Sequence, residues 1–186
     1  MLVPASLRWL LTLALAGASA FHLGRVLRPG PAPEHRVAEA LHAVMGVAMV
    51  AMLWPFGRLV PTSAGVVVFA GSTGWFAAQA ARAAGRRILP AYSASAAAAM
   101  TWMTEAMPSG AAMAMPGMTA AGASWAAAAI GGYLVVAGLG WLLRGLRLEA
   151  LRQCPPAELT APKWHWPALC HGVMGMSMGL AVLTIV

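Results

Sequence analysis

The run HAVMGVAMVAMLWP, residues 42–55, places one histidine ahead of an uncharged stretch that ends at a proline. His42, Met45, Met49 and Met52 advance by three, four and three positions. That spacing holds side chains on one face of a helix. Extended back to residue 36, the run is long enough to cross a hydrocarbon core, which takes roughly 20 helical residues. The pattern returns near the other end as HGVMGMSMGL, residues 171–180, and both copies read His-x-Val-Met-Gly-x-x-Met.

Working outward, six segments of this length and character emerge, at about 4–24, 36–54, 60–80, 88–107, 120–143 and 166–186. The chain of 186 residues is 60% hydrophobic and 9% charged, whereas soluble domains carry about 25% charged residues. No segment alternates with period two, which argues against a barrel. The expectation is an all-α polytopic membrane protein, a single domain over 1–186 built as a bundle of about six transmembrane helices. The first segment also has the parts of a signal peptide, with Arg8, an apolar WLLTLALAG and an ASA at 18–20. Because the chain retains it from Met1, it is read as a helix.

The net charge of +7 comes from twelve Lys and Arg spread over loops, which does not suggest nucleic acid. Ten of them follow the first, third and fifth segments: Arg25, Arg28, Arg36, Arg82, Arg86, Arg87, Arg144, Arg147, Arg152 and Lys163. Only Arg8 and Arg58 lie on the other side. The positive-inside rule then puts loops 1, 3 and 5 in the cytoplasm and both termini outside. Trp54, Trp164 and Trp166 fall at helix ends, as an aromatic belt requires. Cys154 and Cys170 make no disulfide framework and sit on the side where thiols stay reduced.

Along the chain, RPGPAPEH (28–35) reads as a stiff turn because of its three prolines. It separates a helix ending near His22 from one beginning near Arg36. Gly65, Gly71 and Gly74 permit close approach on the third segment, and Gly172, Gly175 and Gly179 on the sixth. AYSASAAAAM (91–100) is too weakly apolar to face lipid all round, so the fourth segment packs centrally. MPSGAAMAMPGM (107–118) is an external loop. The basic tail of GWLLRGLRLEALR (140–152) continues the fifth segment as an interfacial amphipathic helix.

Beyond the initiator, the methionines occupy only the second, fourth and sixth segments and the loop after the fourth. Met100, Met103 and Met107 repeat the three-and-four spacing, as do His171, Met174 and Met178. Thioether and thiolate sulfur select Cu(I), with imidazole a frequent companion, and uncharged ligands suit a low-dielectric interior. In that pattern Met113, Met115 and Met118 of the loop capture the ion. Met107, Met103, Met52, Met49, Met100 and Met45 pass it inward to a site centred on His42, Met45, His171 and Met174, with His22 or Cys170 as further candidates. Ligand type does not separate Cu(I) from Ag(I). The bland alternative is that Met fills gaps in any packed face and each histidine is a hydrogen-bonding strut. Glu105 reads as hydrated near the outer surface, and Glu39 as pairing with a loop arginine. His35, His165, Tyr92, Tyr133 and Gln79 carry no assignment. No Walker motif, paired carboxylates or C-x-x-C supports an enzyme. Haem b needs two facing axial ligands, which His42 with His171, or His22 with either, could supply. A haem-binding membrane protein is the lesser alternative, because no helix carries two well-separated histidines for stacked haems.

The two His-Met segments, set in a small arginine-containing membrane chain, resemble an uncharacterised family of actinobacterial integral membrane proteins whose spanning helices carry His followed by Met at similar steps. The resemblance covers most of the chain and implies a plasma-membrane setting but no activity. The expected function is therefore Cu(I) binding for uptake, storage or delivery to a cuproprotein. The alternative is a non-catalytic structural or assembly subunit that packs against lipid and membrane partners such as a respiratory complex.

Overall fold

The computed structural model describes residues 5–30, 32–54, 62–83, 85, 87–106, 120–152 and 166–185. Six helices follow in order: α1 (Ala5–Val26), α2 (Pro33–Leu53), α3 (Thr62–Arg82), α4 (Ile88–Ala106), α5 (Ala120–Arg152) and α6 (Trp166–Ile185). The described residues contain no strand. The all-α class read from the sequence holds.

The helix ends show where local chemistry overrode the expected boundaries. α2 begins at Pro33 and not at Arg36, because proline in the first helical turn lacks only an N–H that has no helical partner anyway. Glu34 adds a favourable charge at that N-terminus. The same tolerance lets Pro90 sit inside the first turn of α4 and Pro167 inside that of α6. α1 does not stop at His22. It continues to Val26 with Arg25 in its last turn, where a cation suits the helix dipole. α5 runs unbroken to Arg152, so Arg144, Arg147 and Arg152 lie on the helix and not in a loop.

The helices pack as three hairpins, α1 with α2, α3 with α4 and α5 with α6, and α6 also lies against α1. Five helices, all except α4, are long and apolar enough to cross a membrane. α6 is the central one, with 56% of its span buried. Leu13, Val67 and Val136, by contrast, are more than two-thirds exposed and turn apolar surface outward.

Glycine allows the closest approaches. A Cβ on Gly138 of α5 would lie 2.6 Å from the Met176 nitrogen and 2.9 Å from the Gly172 oxygen of α6. A Cβ on Gly172 would meet Leu142, and one on Gly179 would meet Gly131. The two backbones therefore touch, as small residues permit in membrane helix pairs. Gly71 and Gly74 have open space around them and play no such part, whereas a Cβ on Gly65 would press on Thr104. In the α1–α2 hairpin the space beside Gly46 is filled by the Ser19 hydroxyl, which donates to the Leu15 carbonyl at 2.8 Å. Gly46→Ala should cost about 1–3 kcal/mol through overpacking. Adding Ser19→Ala should return most of that loss in detergent unfolding of the double variant. Unchanged stability of Gly46→Ala would contradict the contact.

Candidate metal centre

Four helices bring their chemistry to one level of the bundle. His22 lies near the end of α1, His42 in the first half of α2, Ser93 early in α4 and His171 early in α6. The three imidazoles form a triangle. Ring centres are 5.0 Å apart for His22 and His42, 5.3 Å for His22 and His171, and 4.7 Å for His42 and His171. All three are buried.

Hydrogen bonds orient the rings of His42 and His22, whereas the His171 ring is packed among other rings. His42 Nδ1 donates to the Ala38 carbonyl one turn back at 2.7 Å. That fixes the tautomer whose Nε2 carries a lone pair, and Nε2 accepts from Ser93 Oγ at 3.1 Å. His22 Nδ1 donates to Glu39 Oε2 at 2.6 Å, and Arg25 Nε binds the other oxygen at 2.8 Å. The backbone oxygen of His171 accepts from the Tyr92 hydroxyl at 3.2 Å, and its ring lies 6.1 Å from that of Trp141.

Between α2, α4 and α6 is a cavity of about 10 Å³ lined by His42, Met45, Tyr92, Ser93, Ala96, His171, Met174, Gly175 and Met178. That volume is about the room one water needs. Two imidazoles and three thioethers thus face one small space. Met49, Met100 and Met103 are buried in the same core, and Met52 packs against it half-buried. Met107 and the loop methionines Met113, Met115 and Met118 lie outside the described residues, as do Cys154, Trp164 and His165. Among the described residues, no three His, Cys, Asp or Glu side chains stand as they are in metal-holding geometry. The thioethers and a turn of the rings would have to complete such a set.

Other residues sort themselves by position. Cys170 is a buried free thiol that does not line the cavity. Glu105 and His35 are exposed. Glu39 pairs with Arg25, and the loop position expected for that arginine becomes the last turn of α1. The ion pair's link to His22 was not legible, because it depends on how α1 and α2 cross. Ser93 and Tyr92 were also missed. One signal existed: Ser93 stands five residues beyond the first residue of α4, as His171 does from the first residue of α6. Glu39→Ala should destabilise the protein by about 1–3 kcal/mol, because it strips a buried imidazole and an arginine of their acceptor. Glu39→Gln should recover part of that loss in the same unfolding measurement, and equal stability of both variants with the parent would count against the pairing.

Five apolar helices of spanning length around a polar cluster buried at one end fit a polytopic helical membrane protein. The chain belongs to a family: residues 34–185 match the one described as a domain of unknown function (DUF5134). The match takes in both His-Met segments. The chain matches no curated protein and no solved structure.

Proposed function

We propose that this chain is a plasma-membrane protein that binds Cu(I) in the cavity between α2, α4 and α6, for copper uptake, storage or delivery to a cuproprotein. The observation that carries it is the lining of that cavity, where His42, His171, Met45, Met174 and Met178 meet. Imidazole with thioether is a ligand set for a soft monovalent ion. His42 donates its other N–H to a backbone carbonyl, the arrangement usual for a metal-bound histidine. No carboxylate enters the cavity lining, which suits a site enclosed by apolar helices.

Direction follows from charge. The histidine end of the bundle is also the end of Arg25, Arg36, Arg87 and Arg144, so the positive-inside rule assigns it to the cytoplasm, with loops 1, 3 and 5 inside and both termini outside. Met103 and Met52 then lie toward the outer face, and the thioethers lead inward to the imidazoles. A haem has no part in this proposal, because the imidazoles are in ring contact and leave no plane between them for a macrocycle.

Anaerobic titration of the detergent-purified protein with Cu(I), against a competing chelator and with elemental analysis, tests the assignment. Tight binding of about one ion per chain is expected. Binding no greater than that of an unrelated membrane protein would overturn it.

The second function, a subunit that packs against a respiratory complex or another membrane partner, is favoured by a different feature. An open groove of about 450 Å³ runs between α4 and α5, lined by Ile88, Tyr92, Tyr133, Ala137 and Trp141, with Arg144 among its lining residues. Co-purification of a stoichiometric partner, lost when Ala137 is replaced by Trp, would favour this second function.

A further inference from the structure

His22 does not line the cavity, yet its ring keeps one fully buried nitrogen without a hydrogen-bond partner. Its side chain is 1% exposed. Its Nδ1 is committed to Glu39, whose second oxygen is held by Arg25. Its Nε2 is buried and has no hydrogen-bond partner. A buried lone pair without a partner costs about 1–3 kcal/mol, so natural proteins rarely keep one without a use for it. The carboxylate at Nδ1 puts the lone pair on Nε2 and fixes the ring.

The two imidazoles of the cavity lie beside that ring, with ring centres 5.0 Å away for His42 and 5.3 Å for His171. Three imidazoles bound to one ion at about 2.0–2.1 Å, with near-tetrahedral angles, hold their ring centres about 5 Å apart. The observed separations are 4.7, 5.0 and 5.3 Å. The ring centres have the spacing of a three-imidazole site, and the rings would have to turn to aim three nitrogens at one point. His42 Nε2 must exchange Ser93 Oγ for the ion, and the Ser93 hydroxyl is free to turn to a carbonyl of its own helix.

We infer that His22 is the third imidazole donor of the site, oriented by Glu39 and Arg25, so that the ion is held by His22, His42 and His171 with a cavity methionine as the fourth ligand. This rests on the Cu(I) assignment above and names its donor set. Three imidazoles in place of two make this the tight end of the methionine path. A Cu(I) ion arriving along the thioethers is retained here.

The test is copper K-edge X-ray absorption on the anaerobically loaded full-length protein, beside chelator-competed titrations of the parent, His22→Ala and Glu39→Gln. Three imidazoles are expected around copper in the parent. His22→Ala should bind at least about 10-fold more weakly and show two, and Glu39→Gln should keep three while binding about 10-fold to 100-fold more weakly. If His22→Ala does not fold, the parent spectrum decides, because two imidazoles there overturn the inference. A parent that binds Cu(I) with affinity unchanged in His22→Ala overturns it while leaving the Cu(I) assignment standing. A parent that binds no Cu(I) overturns both.

Discussion

His42→Ala should reduce Cu(I) affinity by about 100-fold or more, with His171→Ala close behind and the double variant losing less than the two single losses summed. Two causes act together at His42. The variant loses the Nε2 lone pair that the Ala38 carbonyl presents to the cavity, and it enlarges a space of about 10 Å³ so that water competes for the ion. Replacement of a single thioether should be milder, because Met45, Met174 and Met178 line the same cavity and can substitute for one another. Chelator competition on folded, monodisperse protein measures both effects. Affinity unchanged in His42→Ala would remove the site, and the stripe of methionines would then be packing. Residues acting on one ion are coupled, so the non-additivity is part of the expectation.

The largest loss of stability should come from Gly138→Val. At that position α5 and α6 touch through their backbones, and an added Cβ would lie 2.6 Å from one backbone atom and 2.9 Å from another. No flexible side chain is there to yield. Overpacking of this kind costs about 3 kcal/mol or more, and here it separates the central helix from its partner. His171 and Met174 belong to that helix. The variant should therefore unfold at markedly lower temperature in detergent and lose Cu(I) binding with it. Gly140→Val, at an open position of the same helix, is the control and should leave both unchanged. A Gly138→Val protein as stable as the parent would show that the α5–α6 contact is looser than described.

These two expectations draw on different levels of the molecule. The three-and-four spacing of His42, Met45, Met49 and Met52, and of His171, Met174 and Met178, is a property of one helix at a time. It could be read without knowing any neighbour. Whether those faces meet is a property of helix crossing. The α1–α2 hairpin sets His22 beside His42, and the position of α6 against α1 brings His171 to both. Ser93 illustrates the limit. A serine in an alanine-rich helix carries no sign of its partner, and only the placement of α4 beside α2 makes it the donor to His42 Nε2. Gly71 and Gly138 make the same point, since both are glycines in spanning helices and only one meets another backbone.

From the sequence alone came the helix number, the membrane character, the charge asymmetry of the loops and the periodic faces. Those follow from composition and from the 3.6-residue turn, which act within each segment. Helix ends shifted by several residues where proline proved compatible with a first turn and where α5 kept its register through its basic tail. Only the tertiary structure decided that His22, held by Glu39 and Arg25, joins the other two imidazoles, and that three thioethers close the cavity beside them. Contacts between distant segments depend on the angle and depth at which helices cross. Those are set by the summed fit of many small side chains, and no single stretch of sequence contains that sum.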